Sequence, residues 1–244
     1  QLHAVRGRLP GQSRASPQIN PESIVRRITV PKKPRSEQEV QKVREEILDK
    51  TLELINEVGY ENFTMRKLAN KLNMTATPIY QYYKNKDELY LAALTQGFET
   101  LCNVAEKARD EGKDPMERLR FVIRDVILFG LEHPGVYNIL FISAMPKYYD
   151  YVGTENEDAA KRELDAAMRF RDFLVEVAEE SGLLDDEGGE GVLMKLLSGF
   201  CTVHGYVALA NSQITDYLLG PLVQTDSPEL VNFLIDTVLE NYQK

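Results

Sequence analysis

The chain has 244 residues, of which 43% are hydrophobic and 27% charged, enough for one large domain or two small ones. With a mean hydropathy of -0.34, this balance excludes an intrinsically disordered chain and a membrane-embedded bundle. The net charge of -9 is unevenly spread: residues 1–86 hold 16 Lys and Arg against 9 Asp and Glu, a net +7, while residues 87–244 hold 13 against 29, a net -16. A basic module joined to an acidic body is the expectation. Two cysteines, Cys102 and Cys201, cannot build a disulfide framework or a four-ligand zinc site, and both are expected as buried thiols on apolar helices. The most apolar stretch, residues 192–210, is interrupted by Lys195 and His204 and reads as a buried helix rather than a membrane span. The first residues are polar and proline-broken, without a secretory signal's apolar run, so a cytoplasmic protein with no membrane partner is expected.

Residues 1–35 contain Pro10, Pro17, Pro21, Pro31 and Pro34 and no helical period, which predicts a flexible arm. Its Arg26, Arg27, Lys32, Lys33 and Arg35 suit a DNA backbone or simply a solvated leader. From Ser36 onward the pattern is helical, with no alternating run long enough for a sheet. The fold class is therefore all-α, with nine helices. The first covers residues 37–58, with Val43, Ile47, Leu54, Ile55 and Val58 on one stripe and Gly59 as the left-handed stop. Two short ones cover 65–72 and 76–82. Longer ones follow at 86–111, 115–132, 135–144, 159–181, 190–210 and 228–242, separated by Gly, Pro, Asn or Asp.

The stretch from Thr64 to Lys86, TMRKLANKLNMTATPIYQYYKNK, has helix-turn-helix grammar. Thr64 is placed to cap the first short helix, and Met65, Leu68 and Leu72 face inward. Asn73 takes the turn, where a left-handed backbone is needed, and Thr75 is placed to cap the second helix. Pro78 then falls within the first turn, where its missing N–H costs no helical bond. Ile79 and Tyr83, four apart, pack on the core and leave Ala76, Thr77, Tyr80 and Gln81 outward. Gln pairs with two atoms of an adenine edge and Thr or Ala touches a thymine methyl, while Tyr82 and the pair Lys84 and Lys86 suit phosphates. Asn85 with Glu88 marks the start of the next helix, whose amides face the same neighbourhood. The DNA-contacting set is thus Thr64, Arg66, Thr75, Ala76, Thr77, Tyr80, Gln81, Tyr82 and Lys86. The competing reading is that the tyrosines are packing and the lysines a solvated turn.

These residues resemble the DNA-binding domain of the TetR family of bacterial transcriptional regulators, over residues 37–91. The similarity rests on GYENFT (59–64), LANKLNMT (68–75) and IYQYYKNKDEL (79–89), with Asn73 in place of the family's usual turn glycine. HPGVYNILF (133–141) and TVHGYVAL (202–209) are similar to the C-terminal domain of a branch named for a Trp-His-Gly signature. This chain keeps His204 and Gly205 but has no tryptophan, and Phe200, one turn earlier, stands in the aromatic role. The resemblance implies a helix-turn-helix head over residues 36–86 and a ligand-binding and dimerisation body over 87–244. It also implies a regulator, most often a repressor, whose grip on DNA is relieved by a small molecule.

One short recognition helix reads too few base edges, so a homodimer is expected on half-sites one helical turn apart, roughly 34–36 Å. Its seam is expected on Ser198, Thr202 and Gly205, a stripe of small residues, and on Leu230, Phe233, Leu234 and Val238 of the last helix, with Leu197, Phe200, His204 and Val207 turned to the core. An apolar effector cavity is expected among Phe121, Phe129, Tyr137, Phe141, Met145, Met168 and Phe173, with Tyr137 and His204 as polar handles. Plain core is the alternative for each. The YYDYVG stretch after Lys147 reads as a gate over the cavity or a surface loop. His3, His133 and His204 are scattered, and no hydrolase, zinc-protease or P-loop motif occurs, so neither an enzyme nor a cofactor or metal site is expected. The remaining rival is a helical small-molecule-binding or scaffold protein without DNA-binding activity.

Overall fold

A computed structural model describes residues 36–143, 146–183, 189–220, 224 and 227–242. The arm expected over residues 1–35 lies outside them. Among the described residues there are ten α-helices and no strand, and those from Glu37 onward pack as one unit. They are α1 (Glu37–Val58), α2 (Met65–Lys71), α3 (Ala76–Tyr80), α4 (Lys86–Glu111), α5 (Pro115–Glu132), α6 (Pro134–Tyr137), α7 (Glu157–Glu180), α8 (Gly189–Asn211), α9 (Ile214–Leu219) and α10 (Pro228–Tyr242).

Helix α1 buries Ile47, Leu54 and Ile55 from the predicted stripe, and stops where Gly59 takes φ 76°. Its buried Thr51 donates its hydroxyl proton to the Ile47 carbonyl at 2.7 Å, so no polar group is stranded. Helix α4 is the centre of the molecule. It contacts α1 on one side and α5 and α7 on the others, and Leu89, Leu91, Leu101 and Ala105 along it are fully buried. Asp114 caps α5 by accepting the Glu117 amide at 2.9 Å, directly before Pro115.

Three elements differ from the sequence reading. The helix expected over 135–144 is α6 followed by a π turn at Asn138–Ile142, closed by the Ser143 amide donating to the Asn138 carbonyl at 2.8 Å. Wide turns of this kind recur at functional sites, and this one carries Phe141 beside Tyr137, with ring centroids 4.9 Å apart. Helix α9, between Gln213 in the left-handed region at φ 58° and Gly220 at φ 56°, was not expected, because six residues carry too little periodicity to stand out. Helix α8 is long and apolar enough to cross a membrane by composition, yet it is not the buried helix expected: Leu193, Met194, Leu197 and Leu209 are exposed. Its Cys201 is exposed too, whereas Cys102 is buried on α4 and its thiol is pushed up by that burial.

Candidate nucleic-acid interface and effector cavity

Helices α2 and α3 are joined by the tight turn that the punctuation predicted. Thr64 accepts the Lys67 amide at 3.2 Å, and Asn73 sits at φ 53°. The Met74 amide then returns to the Ala69 carbonyl at 2.9 Å, on the small residue that lets α3 cross closely. Pro78 is the third residue of α3. The helix ends at Tyr80, two residues short of the expected end, and the chain continues as a turn in which the Tyr82 and Tyr83 amides both donate to the Ile79 carbonyl. Thr75 holds the cap position, but its side chain makes no cap hydrogen bond.

Ile79 is fully buried and Tyr83 nearly so, its phenol pushed up to about 12 by burial. These two side chains prop α3 on the core. The opposite face is open: Thr75, Thr77, Tyr80 and Gln81 are exposed, with Tyr80 at 52%, and Ala76 is half-buried beside them. Thr64 and Arg66 on α2 are exposed to solvent as well. Tyr82 is half-buried with the Arg44 guanidinium 5.9 Å from its ring centroid. The Lys86 ammonium lies 4.0 Å over the Tyr60 ring, an attraction that holds the charge near α3.

Tyr60 also anchors a clamp that the motif reading missed. Its hydroxyl donates to the Asp87 carboxylate and lies 3.4 Å from the Tyr151 hydroxyl, while its ring packs on Tyr90 at 4.8 Å. Burial and the Asp87 carboxylate push the Tyr60 phenol far above its ordinary range. One residue before α4, the Asn85 side chain accepts the Glu88 amide at 2.8 Å and donates to Glu155 and Asn156 at 3.0 and 3.1 Å. Asn156 is the residue just before α7. Glu155 and Asn156 thus tie the start of α7 to the start of α4, while Tyr151 of the YYDYVG stretch reaches Tyr60, and residues 148–153 are not part of the wall of the cavity described below. Behind that stretch Glu163 on α7 is buried, and desolvation raises its carboxyl above the ordinary value, with Lys147 opposing.

A cavity of about 420 Å³ lies between α4, α5, the π turn, α7, α8 and α10. Of the residues expected to line it, Tyr137, Phe141 and Met168 do so. Met145 lies outside the described residues. Phe121, Phe129 and Phe173 do not reach the cavity: Phe121 stacks under Arg124, Phe129 is buried against His133, and Phe173 is buried beneath Arg109. His204 is one layer behind the wall. Its Nδ1 is 3.2 Å from the Tyr137 hydroxyl and its ring stacks on Phe200, and both of those side chains do line the space. Burial raises the Tyr137 phenol. The rest of the wall comes from residues that sequence spacing did not separate from core, among them Leu119, Val122, Phe170, Leu174, Val203 and Tyr242. Val238, expected in the dimer seam, is buried and faces this cavity instead.

The remaining seam residues stay near the surface. Ser198 and Phe233 are exposed, and Thr202, Gly205, Leu230 and Leu234 are half-buried. A methyl group built on Gly205 meets nothing within 4 Å. Leu197 and Phe200, expected to face the core, are 54% and 39% exposed, so α8 turns its larger apolar side outward as well. Gly199 of the same helix is crowded by contrast: a methyl group there would press on the Tyr242 ring, with Cζ at 2.9 Å.

Residues 47–93, from the middle of α1 into α4, match the family model described as bacterial regulatory proteins, tetR family. The chain is 32% identical over 80 residues to the HTH-type transcriptional repressor KstR of Mycolicibacterium smegmatis, covering 33% of this chain and 39% of that protein. Residues 47–93 are thus similar to the DNA-binding region of the TetR family. The chain spans only 39% and 57% of the KstR protein and of an uncharacterised HTH-type regulator of Haemophilus influenzae, which is 32% identical over 107 residues and 43% of this chain. A Rhodococcus sp. RHA1 structure of a protein with unknown function superposes with a TM-score of 0.64 at 20% identity, over 88% of this chain and all of that one. The structure of AibR in complex with isovaleryl coenzyme A and operator DNA gives 0.51 at 20% identity, over 80% and 95%.

Proposed function

We propose that this chain is a ligand-responsive transcriptional repressor of the TetR family that binds a palindromic operator as a homodimer in the cytoplasm. Residues 36–86 form its DNA-binding head, and residues 87–244 its ligand-binding and dimerisation body. The observation that carries the reading is α3, whose inner side is fixed by buried Ile79 and Tyr83 while Thr77, Tyr80 and Gln81 stand in solvent. A helix so supported enters the major groove as a unit, and a fixed helix is what sequence discrimination requires. Charge supports the same end: residues 87–244, net -16, are repelled from phosphates, whereas residues 36–86 hold 8 Lys and Arg against 8 Asp and Glu and are not, and the basic excess lies in residues 1–35, with 8 against 1.

A second copy is supported by the exposed apolar side chains of α8 and α10, Leu193, Met194, Leu197 and Phe233, which water would otherwise meet. The effector reading is supported by the cavity, which is almost wholly apolar and large enough for a small molecule. A small apolar or aromatic compound that binds the released form more tightly need supply only about 1–3 kcal/mol of coupling to loosen DNA.

Selection from random-sequence duplexes followed by gel shift tests the proposal. Gln81→Ala is expected to relax preference at one base pair. Lys86→Ala is expected to weaken all sequences alike and lower the salt slope by about 1. Failure to enrich any sequence, with the protein folded, would leave a helical binding protein without DNA activity.

A further inference from the structure

Among the described residues, the lining of the 420 Å³ cavity contains no Asp or Glu and one charged side chain, Arg171 of α7. Arg171 lines the wall with Met168 and Leu174, one turn away on the same helix, and its side chain is 54% exposed. This is how a long cationic side chain behaves at a boundary: its methylenes cover apolar surface and its charge stays at the edge. Arg171 Nε donates to Asp172 Oδ1 at 2.9 Å. That partner is its chain neighbour and 64% exposed, so the pair is a solvated surface contact of small worth that an entering anion can share or replace. The other polar atoms on the wall are phenols. That of Tyr137 is engaged with His204, and that of Tyr242 is pushed up to about 12 by burial, so both stay neutral.

We infer that the cavity takes an elongated, mostly apolar carboxylic acid, its chain between Phe141, Leu196 and Val203 and its carboxylate at the rim on Arg171. The inference rests on the effector reading above and narrows it to one chemical class. The volume, at roughly 30 Å³ for each water-sized group, accepts a ligand of about fourteen heavy atoms. A cation of the same length would meet Arg171 at the mouth, and a neutral alcohol would forgo the charge-assisted bond that the guanidinium offers.

Titration calorimetry of the full chain with decanoate, 1-decanol and decylammonium, each below its aggregation limit, separates the possibilities. Decanoate is expected to bind about tenfold more tightly than decanol, and decylammonium more weakly than either. Arg171→Gln, on an exposed side chain and with unchanged melting temperature, should bring decanoate to the affinity of decanol. Arg169→Gln, altering a neighbouring arginine outside the lining, should leave the preference intact. Equal affinity of the acid and the alcohol in the unaltered chain, or a preference that survives Arg171→Gln, overturns the assignment of an acid while leaving an apolar effector cavity standing. No binding by any of the three overturns both.

Discussion

Removal of the Tyr60 hydroxyl tests whether the clamp between the starts of α4 and α7 holds the head in place. Tyr60→Phe keeps the ring, and with it the packing on Tyr90 and the position of Lys86 above its face, so only the bonds to Asp87 and Tyr151 are lost. A hydrogen bond to a charged acceptor contributes about 1.5–3 kcal/mol. Asp87 is half-buried and regains water when the phenol leaves, and the Tyr151 contact at 3.4 Å is long, so the low end applies, about 1.5 kcal/mol. For a chain of this length that is a melting temperature lower by about 3–6 °C at fixed protein concentration. Urea denaturation should give the same loss through the midpoint without a change in slope. Tyr60→Leu, which also removes the aromatic face under Lys86, should lose at least a further ~0.5 kcal/mol. Operator affinity should fall in the same order. A Tyr60→Phe variant with stability and DNA affinity unchanged would show that the clamp contributes nothing and that the contacts of α1 with α4 alone position the head.

Two further expectations concern the body. Gly199→Ala places a methyl group against the Tyr242 ring, and although Ala favours a helix by about 1 kcal/mol, crowding of about 1–3 kcal/mol should win, giving net destabilisation by urea denaturation that Tyr242→Leu partly relieves; a stabilised variant would show that α8 and α10 have room to part. Glu163 has a folded pKa raised above the unfolded value of 4.5, so its contribution is favourable below that value and is lost as pH rises through the folded pKa. Glu163→Gln escapes that loss and should gain on the unaltered chain in melting temperature between pH 4 and pH 7, whereas a constant difference across the range would mean the carboxyl is not desolvated.

The head was legible because its signals are local. Thr64, Asn73 and Pro78 each report the backbone of one or two residues, and buried Ile79 with Tyr83 follows from a spacing of four. The cavity was not legible, because an apolar side chain at helical spacing reads the same whether it faces a neighbour or a void. Phe129 and Phe173 fill core, Phe170 and Leu174 meet the open space, and only the relative rotation of packed helices decides between them. The same ambiguity put Val238 on the wrong side of α10 and hid the outward turn of α8. The Tyr60–Tyr151 contact spans 91 positions, a distance over which no single-sequence pattern reports.

The uninterrupted length of α4 sets the scale of any response. Its 26 residues make a bar of about 39 Å, with Asp87 and the clamp at one tip and the α5 and α7 packing further along. Pivoting that bar by about 5° carries its tip through about 3 Å, close to the 3.4 Å step between successive bases on a strand. On the proposed reading, a guest lodged in the body has no need to unfold anything: a few degrees, mirrored in a twin, would be enough to put two reading helices out of step with the pitch of the duplex.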